Sequence, residues 1–396
     1  MRARFLVPLL LAMMPACAPG GADEADAEDG EAAESEDAVV ALTEPDETAP
    51  ASALAAAPLD KDAVSDLIDV RGVGDAGWSN THEATAIAAD YGKALDRFDP
   101  TGKGYRGDLS FINWETVVGT SCTRFGSPYA QGRSYAFVSR AENLTQASER
   151  GFNLVGLSNN HSRDCHGSPE SSLSGEVVSP DMTAKALEGL GDTSFLWAGI
   201  SSTRDERDAM RAKVKTFTVK GRQVRVALGS LYTGREACPR AACMGDRRAL
   251  LESLRDAQAD LRILALHSRA SADQDDAVRL GIEFVKRYGG DIVFGHGPHV
   301  WKPVRVVRKD AAFGGGAGVV FESLGNFLHP SLAVQQQNFI GRALLDARTL
   351  ELRQVQVLPV VNSGRDIRWS TADGARVTAN LRWTPAERGV FANVKR

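Results

Sequence analysis

Four histidines, two carboxylates and an amide recur in one kind of place along this chain. His161, His267, His296 and His299, four of the seven histidines present, each lie just beyond a short apolar run, as do Asp75, Glu115 and Asn160. A lone histidine so placed is more often an ordinary core or surface residue than a ligand. Seven metal-competent side chains in corresponding places are harder to assign to chance. Imidazole, carboxylate and amide donors together suit Mn, Fe or Zn, as one ion or two, better than Ca, which prefers an all-oxygen shell. In His296-Gly297-Pro298-His299 the glycine and proline can form a tight turn that aims two rings at one point.

The elements that must position these residues can be read from periodicity. Leu67 to Val73, Leu109 to Ile112, Leu154 to Leu157, Val224 to Leu228, Leu261 to Leu266, Ile292 to Phe294 and Val319 to Phe321 read as strands. A helical stretch from Ala141 to Arg150 stops at Gly151, and another from Asp275 to Tyr288 stops at Gly289-Gly290. Val214, Phe217 and Val219 before Lys220-Gly221, with Val224, Val226 and Leu228 after it, indicate a β-hairpin. Leu352, Val355 and Val357, followed by Pro359, suggest closing strands without chemistry of their own. Gly314-Gly315-Gly316 lacks the lysine and helix context of a phosphate loop and reads as a loose turn. Strands alternating with helices define an α/β architecture, in which ligands collect beyond the carboxyl ends of strands. That is where Asp75, Asn113, Glu115, Asn160, His161, His267, His296, His299 and Asn326 fall.

The ordered set Gly74-Asp75, Asn113-Trp114-Glu115, Asn159-Asn160-His161 with Asp164, His267, Gly295-His296-Gly297-Pro298-His299 and Ser323-Leu324-Gly325-Asn326-Phe327 resembles the CapA-type capsule-synthesis family, also called PGA_cap, over roughly residues 66–330. That family is similar to the calcineurin-like metallophosphoesterases. The resemblance implies an α/β sandwich of two mixed sheets flanked by helices, with a metal centre at the strand ends. It assigns Asp75, Glu115, Asn160, His267, His296 and His299 to metal, His161 with Asp164 to catalysis, and Asn326 to ordering a loop or substrate. Three places depart from the pattern: His267-Ser268-Arg269 replaces His-Trp-Gly, Asp164-Cys165-His166-Gly167 replaces Asp-x-Gly, and Asp75-Ala76-Gly77 lacks the Asp-x-His of phosphoesterases.

The chemistry so implied is metal-dependent hydrolysis or transfer at the cell envelope, in capsule or poly-gamma-glutamate synthesis. A bound cation would lower the pKa of a water and stabilise developing charge, while His161 protonates the leaving oxygen. Arg163 and Arg269 flank the motifs and could hold an anionic phosphoester or polymer through paired hydrogen bonds. A non-catalytic assembly factor that binds anionic polymer within a capsule-synthesis complex is the alternative. Glu115 with Asp164 as a glycosidase pair would leave the histidines without a role.

The rest of the chain sets the context. Arg2 and Arg4 precede an apolar run from Phe5 to Met14 that is too short to span a bilayer, and Met14-Pro15-Ala16-Cys17 resembles a bacterial lipobox. Residues 1–17 are therefore expected to direct export, with Cys17 lipidated and the membrane a partner through that lipid. Residues 18–59 hold twelve acidic and no basic residues and few large apolar ones, the composition of a disordered tether. Residues 60–396 form the expected domain, with 44 basic against 39 acidic residues. The overall net charge of −5 conceals this asymmetry. No basic tract or zinc-finger spacing points to nucleic acid. Four cysteines remain in a compartment that permits disulfides, and no CxxC spacing supports a zinc site. Of three possible pairings, Cys122 with Cys165 and Cys238 with Cys243 are favoured, the first because it flanks two candidate site segments and the second because it closes a short loop.

Overall fold

The computed structural model describes residues 66–79, 86–125, 136–171, 173, 177–191, 195–202, 206–234, 238–269, 271–329, 336–363, 365–370, 379–382 and 390–391. The expected export signal with Cys17, the acidic tether and Pro330 lie outside the described residues. In chain order the elements begin with β1 (Leu67–Ala76), α1 (Tyr91–Phe98), β2 (Leu109–Trp114), β3 (Val117–Val118), β4 (Arg124–Phe125), β5 (Val138–Ser139), α2 (Ala141–Glu149), β6 (Leu154–Gly156) and β7 (Cys165–Gly167). They continue with α3 (Ser179–Glu188), β8 (Leu196–Ala198), β9 (Lys213–Val219), β10 (Arg222–Tyr232), α4 (Arg247–Asp256), β11 (Leu261–His267), α5 (Ser271–Tyr288) and β12 (Ile292–His296). The last are β13 (Val304–Arg308), β14 (Ala317–Phe321), β15 (Gln336–Asp346), β16 (Leu352–Ser363), β17 (Asp366–Trp369), β18 (Ala379–Arg382) and β19 (Val390–Phe391).

Two mixed sheets carry the fold. One runs β17-β16-β15-β1-β2-β6-β8, with β18 also paired to β16; the other runs β19-β13-β14-β12-β11-β10-β9. Neighbours β1, β2, β6 and β8 are parallel, as are β10, β11, β12 and β14, and antiparallel strands complete each sheet. The near-continuous apolar runs of these parallel strands follow from burial on both faces. Between the sheets, Ile68, Val70, Phe111 and Leu154 share a core with Val226, Ile263, Phe294 and Phe321. At its centre Phe294 stacks on Phe111, with centroids 4.8 Å apart, and lies 5.7 Å from Phe321. Leu95 of α1 and Leu144 of α2 pack in a second cluster with Ile112 and Val155, and Leu254 of α4 and Phe284 of α5 in a third with Leu264 and Val293.

The α/β sandwich expected from the sequence is thus present. The Lys220-Gly221 hairpin joins β9 to β10, both turn residues taking positive φ (49° and 77°) as tight hairpin turns require. Gly314, Gly315 and Gly316 all take positive φ in the turn before β14. Cys122 is bonded to Cys165 and Cys238 to Cys243. Among the described residues no helix is long and apolar enough to cross a membrane.

Candidate metal centre

Strand register assembles the site. β1 and β2 place Asp75 opposite Asn113, and β11 and β12 place His267 opposite His296. Each sheet therefore presents a pair of polar groups at its carboxyl edge, and the facing of the sheets brings the pairs together. The register of β1 shifts between Gly72 and Asp75, a bulge that re-aims the end of the strand. Close backbone packing fixes it there: the Asp75 amide donates to the Gly325 carbonyl at 2.8 Å, and the Phe327 amide donates to the Asp75 carbonyl at 2.6 Å. Gly74 is required at this crossing, because a Cβ there would lie 1.9 Å from the Gly325 oxygen.

Asp75 is the hub. Its Oδ1 accepts from Asn113 Nδ2 at 2.7 Å and lies 3.2 Å from His296 Nδ1 and 3.5 Å from His267 Nδ1, while its Oδ2 accepts from the Gly297 amide at 3.1 Å. Glu115 stands between two groups of imidazoles. Its Oε1 is 3.2 Å from His267 Nε2 and 3.9 Å from His161 Nε2, and its Oε2 is 3.2 Å from His329 Nε2. The His299 ring stacks on His329 at 5.6 Å, and its Nδ1 lies 2.7 Å from Asn326 Oδ1. To reach this point His299 adopts φ 58° and Gly297 φ 109°; a Cβ on Gly297 would lie 1.7 Å from the Ser268 carbonyl. The turn expected in His296-Gly297-Pro298-His299 is thus a strained backbone that both sheets hold in place.

Electrostatics match this crowding. Burial pushes the Asp75 carboxyl up, but His267 and His296 reverse that and hold it well below the usual carboxylate range. Burial and Asp75 likewise push Glu115 up, and His267, His329 and His299 outweigh them, leaving it at about 2. For His267, burial disfavours the charge but Glu115 and Asp75 prevail and raise it to about 10. Burial lowers His296, and it takes His329 down to about 4. The centre is therefore a pair of ionised carboxylates that draws positive charge into a buried place.

The donor set fits a metal ion. Both Glu115 oxygens and Asn160 Oδ1 are buried and accept no hydrogen bond, and His296 engages neither ring nitrogen in one, its approach to Asp75 being misaligned. Buried acceptors left this way are costly unless something else satisfies them. Two overlapping sets, Asp75 with Glu115 and His267, and Glu115 with His299 and His329, have donor atoms within 4.8 Å of one another.

The remaining expected residues are placed around this cluster. His161 is buried beneath Phe137 (4.4 Å between ring centroids), with Nδ1 3.0 Å from Asp164 Oδ2. Asp164 also accepts from the Phe137 amide at 2.7 Å, and burial raises its carboxyl despite His161. Arg163 is half-buried, its guanidinium 5.8 Å over the Tyr232 ring, whose centroid is 6.1 Å from that of His267. Arg269 follows Ser268 on the half-buried rim. Asn326, expected to order a loop or substrate, places its Oδ1 2.7 Å from His299 Nδ1. Sequence reasoning gave His329 no role, although it is fully buried against Glu115. Its signal was faint: it follows Asn326 by three residues beyond no obvious strand. Asn113, read at a strand end and within a motif but given no role of its own, bridges Asp75 to His267, 3.2 Å from the latter's Nδ1.

The sequence matches the family described as bacterial capsule synthesis protein PGA_cap over residues 73–331, more than half of its length. The chain belongs to that family. No curated protein matches it. Among solved structures it is similar to one described as a novel phosphatase of Mycoplasma pneumoniae, at 11% identity and a TM-score of 0.46, over 75% of this chain and 95% of that one. It is also similar to a hypothetical protein from Thermus thermophilus (12% identity, TM-score 0.40, 75% and 100% covered) and to PhoD (12%, 0.37, 79% and 73%).

Proposed function

We propose that this member of the capsule-synthesis family is a metal-dependent hydrolase or transferase acting on phosphoesters or on polyglutamyl amides at the cell envelope. The observation that carries the reading is Glu115, a fully buried carboxylate with no hydrogen bond, shared by two sets of metal-competent donors. Asp75, Glu115, Asn160, His267, His296, His299 and His329 would hold one or two divalent transition ions. Mn, Fe or Zn there supplies Lewis acidity and lowers the pKa of water.

The chain's own residues do the rest. Asn113 orients Asp75 and His267, and Asn326 fixes the ring of His299 through Nδ1. Asp164 holds His161 Nδ1, so that Nε2 faces the centre and can carry the proton a leaving oxygen needs. Arg163 offers a cation to an anionic substrate beside His267. Anchorage through a lipid on Cys17 belongs to the same proposal and rests on the lipobox alone.

Metal analysis of the full chain, beside His296→Ala with His299→Ala, tests this. Stoichiometric transition metal in the wild type, lost in the variant together with hydrolysis of a phosphoester, is the expected result. A folded wild type that stays metal-free after reconstitution sinks the hydrolase and leaves the polymer-binding assembly factor.

A further inference from the structure

The face of the first sheet that turns away from the second carries a cavity of about 440 Å³. Arg71, Lys103, Arg342, Asp99, Leu358 and Trp369 line it. Arg71 and Arg342 are register partners on β1 and β15, only 8% and 7% exposed. Asp69 joins them, accepting from Arg71 Nη2 at 2.8 Å and from Arg342 Nη2 at 2.7 Å as well as from both Nε groups. Arg71 Nη1 also donates to the carbonyls of Lys103 and Gly104, and Arg342 Nη1 to Gln356 Oε1 at 2.7 Å.

A guanidinium has five N–H donors. These contacts use four on Arg71 and three on Arg342, which leaves three N–H groups on two buried cations bordering the cavity. Two buried positive charges also share one carboxylate, so one is uncompensated. Asp99, also on the cavity wall, forms no ion pair with either guanidinium; its oxygens accept from Thr101 (3.0 and 2.7 Å) and from the Gly104 amide (2.8 Å) instead.

We propose that this cavity is a second site, separate from the metal centre, which takes a small carboxylate- or phosphate-bearing ligand. Its anionic head sits on the Arg71 and Arg342 forks and its body lies against Trp369 and Leu358. The volume falls within the range of small-molecule sites, and the forked donors match an oxyanion.

Calorimetric titration of the full chain with inorganic phosphate and, separately, N-acetylglutamate tests the proposal and distinguishes the two head groups. Both titrations use the His296→Ala, His299→Ala background, so that binding at the metal centre cannot be mistaken for it. One equivalent of at least one probe is expected to bind, about tenfold more weakly in Arg342→Lys, which keeps the charge beside Asp69 but loses the fork. Lys103→Gln, at an exposed position, is expected to weaken it severalfold and decides the matter if Arg342→Lys does not fold. Absence of binding by either probe at millimolar concentration, or affinity unchanged in the folded variants, overturns the proposal.

Discussion

At the scale of single residues, His161 and the ligand set are separable by experiment. His161 lies 3.9 Å from Glu115 and is held by Asp164, so its loss should spare metal and damage turnover. We expect His161→Gln to lower kcat by roughly 10² to 10⁴ with metal content unchanged; loss of the metal as well would make it a ligand instead. His329→Ala should do the reverse. It removes the imidazole facing Glu115 Oε2, and metal per chain measured by mass spectrometry should fall even though no motif marks the position. If His329→Ala retains full metal, Glu115 serves one ion through its other oxygen.

Among the elements, the turn after β12 is the most constrained. Gly297 places its amide on Asp75 and its Cα against the Ser268 carbonyl, so Gly297→Ala must displace either His296 and His299 or the end of β11. The expected outcome is a folded protein with little bound metal, read by circular dichroism beside metal analysis. Normal metal content would show that the turn yields without moving its histidines. The Cys122–Cys165 bond acts on the neighbouring segment, since Cys165 directly follows Asp164 and joins the stretch carrying His161 to the end of the β3–β4 connection.

For the whole molecule, stability rests on the core between the sheets and on a few buried charges. Phe294 fills the space over Gly72 and stacks on Phe111, and Phe294→Ala should cost about 3–5 kcal/mol in denaturant unfolding. A loss under about 1 kcal/mol would mean that the sheets close over the gap. Asp69 governs part of the acid response. Burial opposes its charge, but Arg71 and Arg342 hold its carboxyl below the ordinary value of 3.8. A depressed folded pKa contributes stability that is present above the unfolded pKa and lost as pH falls through the folded one. Unfolding free energy should therefore drop below about pH 4. Asp69→Asn should be less stable at pH 7 and less pH-dependent in that window; an unchanged acid slope would show that other carboxylates dominate.

Much of this was written locally. Strand runs, the hairpin at Lys220-Gly221 and the residue types after each strand are set by period and by turn chemistry, which depend on near neighbours in the chain. So Asp75, Glu115, His161, His267, His296 and His299 are legible from residue type and spacing. Four facts required the fold. That Asp75 faces His267, a residue far along the chain, depends on two sheets packing face to face. That Asn326 reaches His299, and that His329 meets Glu115, depends on the chain crossing β1 at Gly74. That Arg71 and Arg342 share one carboxylate depends on the register of β1 with β15, a strand without a strong apolar alternation of its own. Periodicity reports which face a residue occupies, while only long-range register decides which other residue it meets.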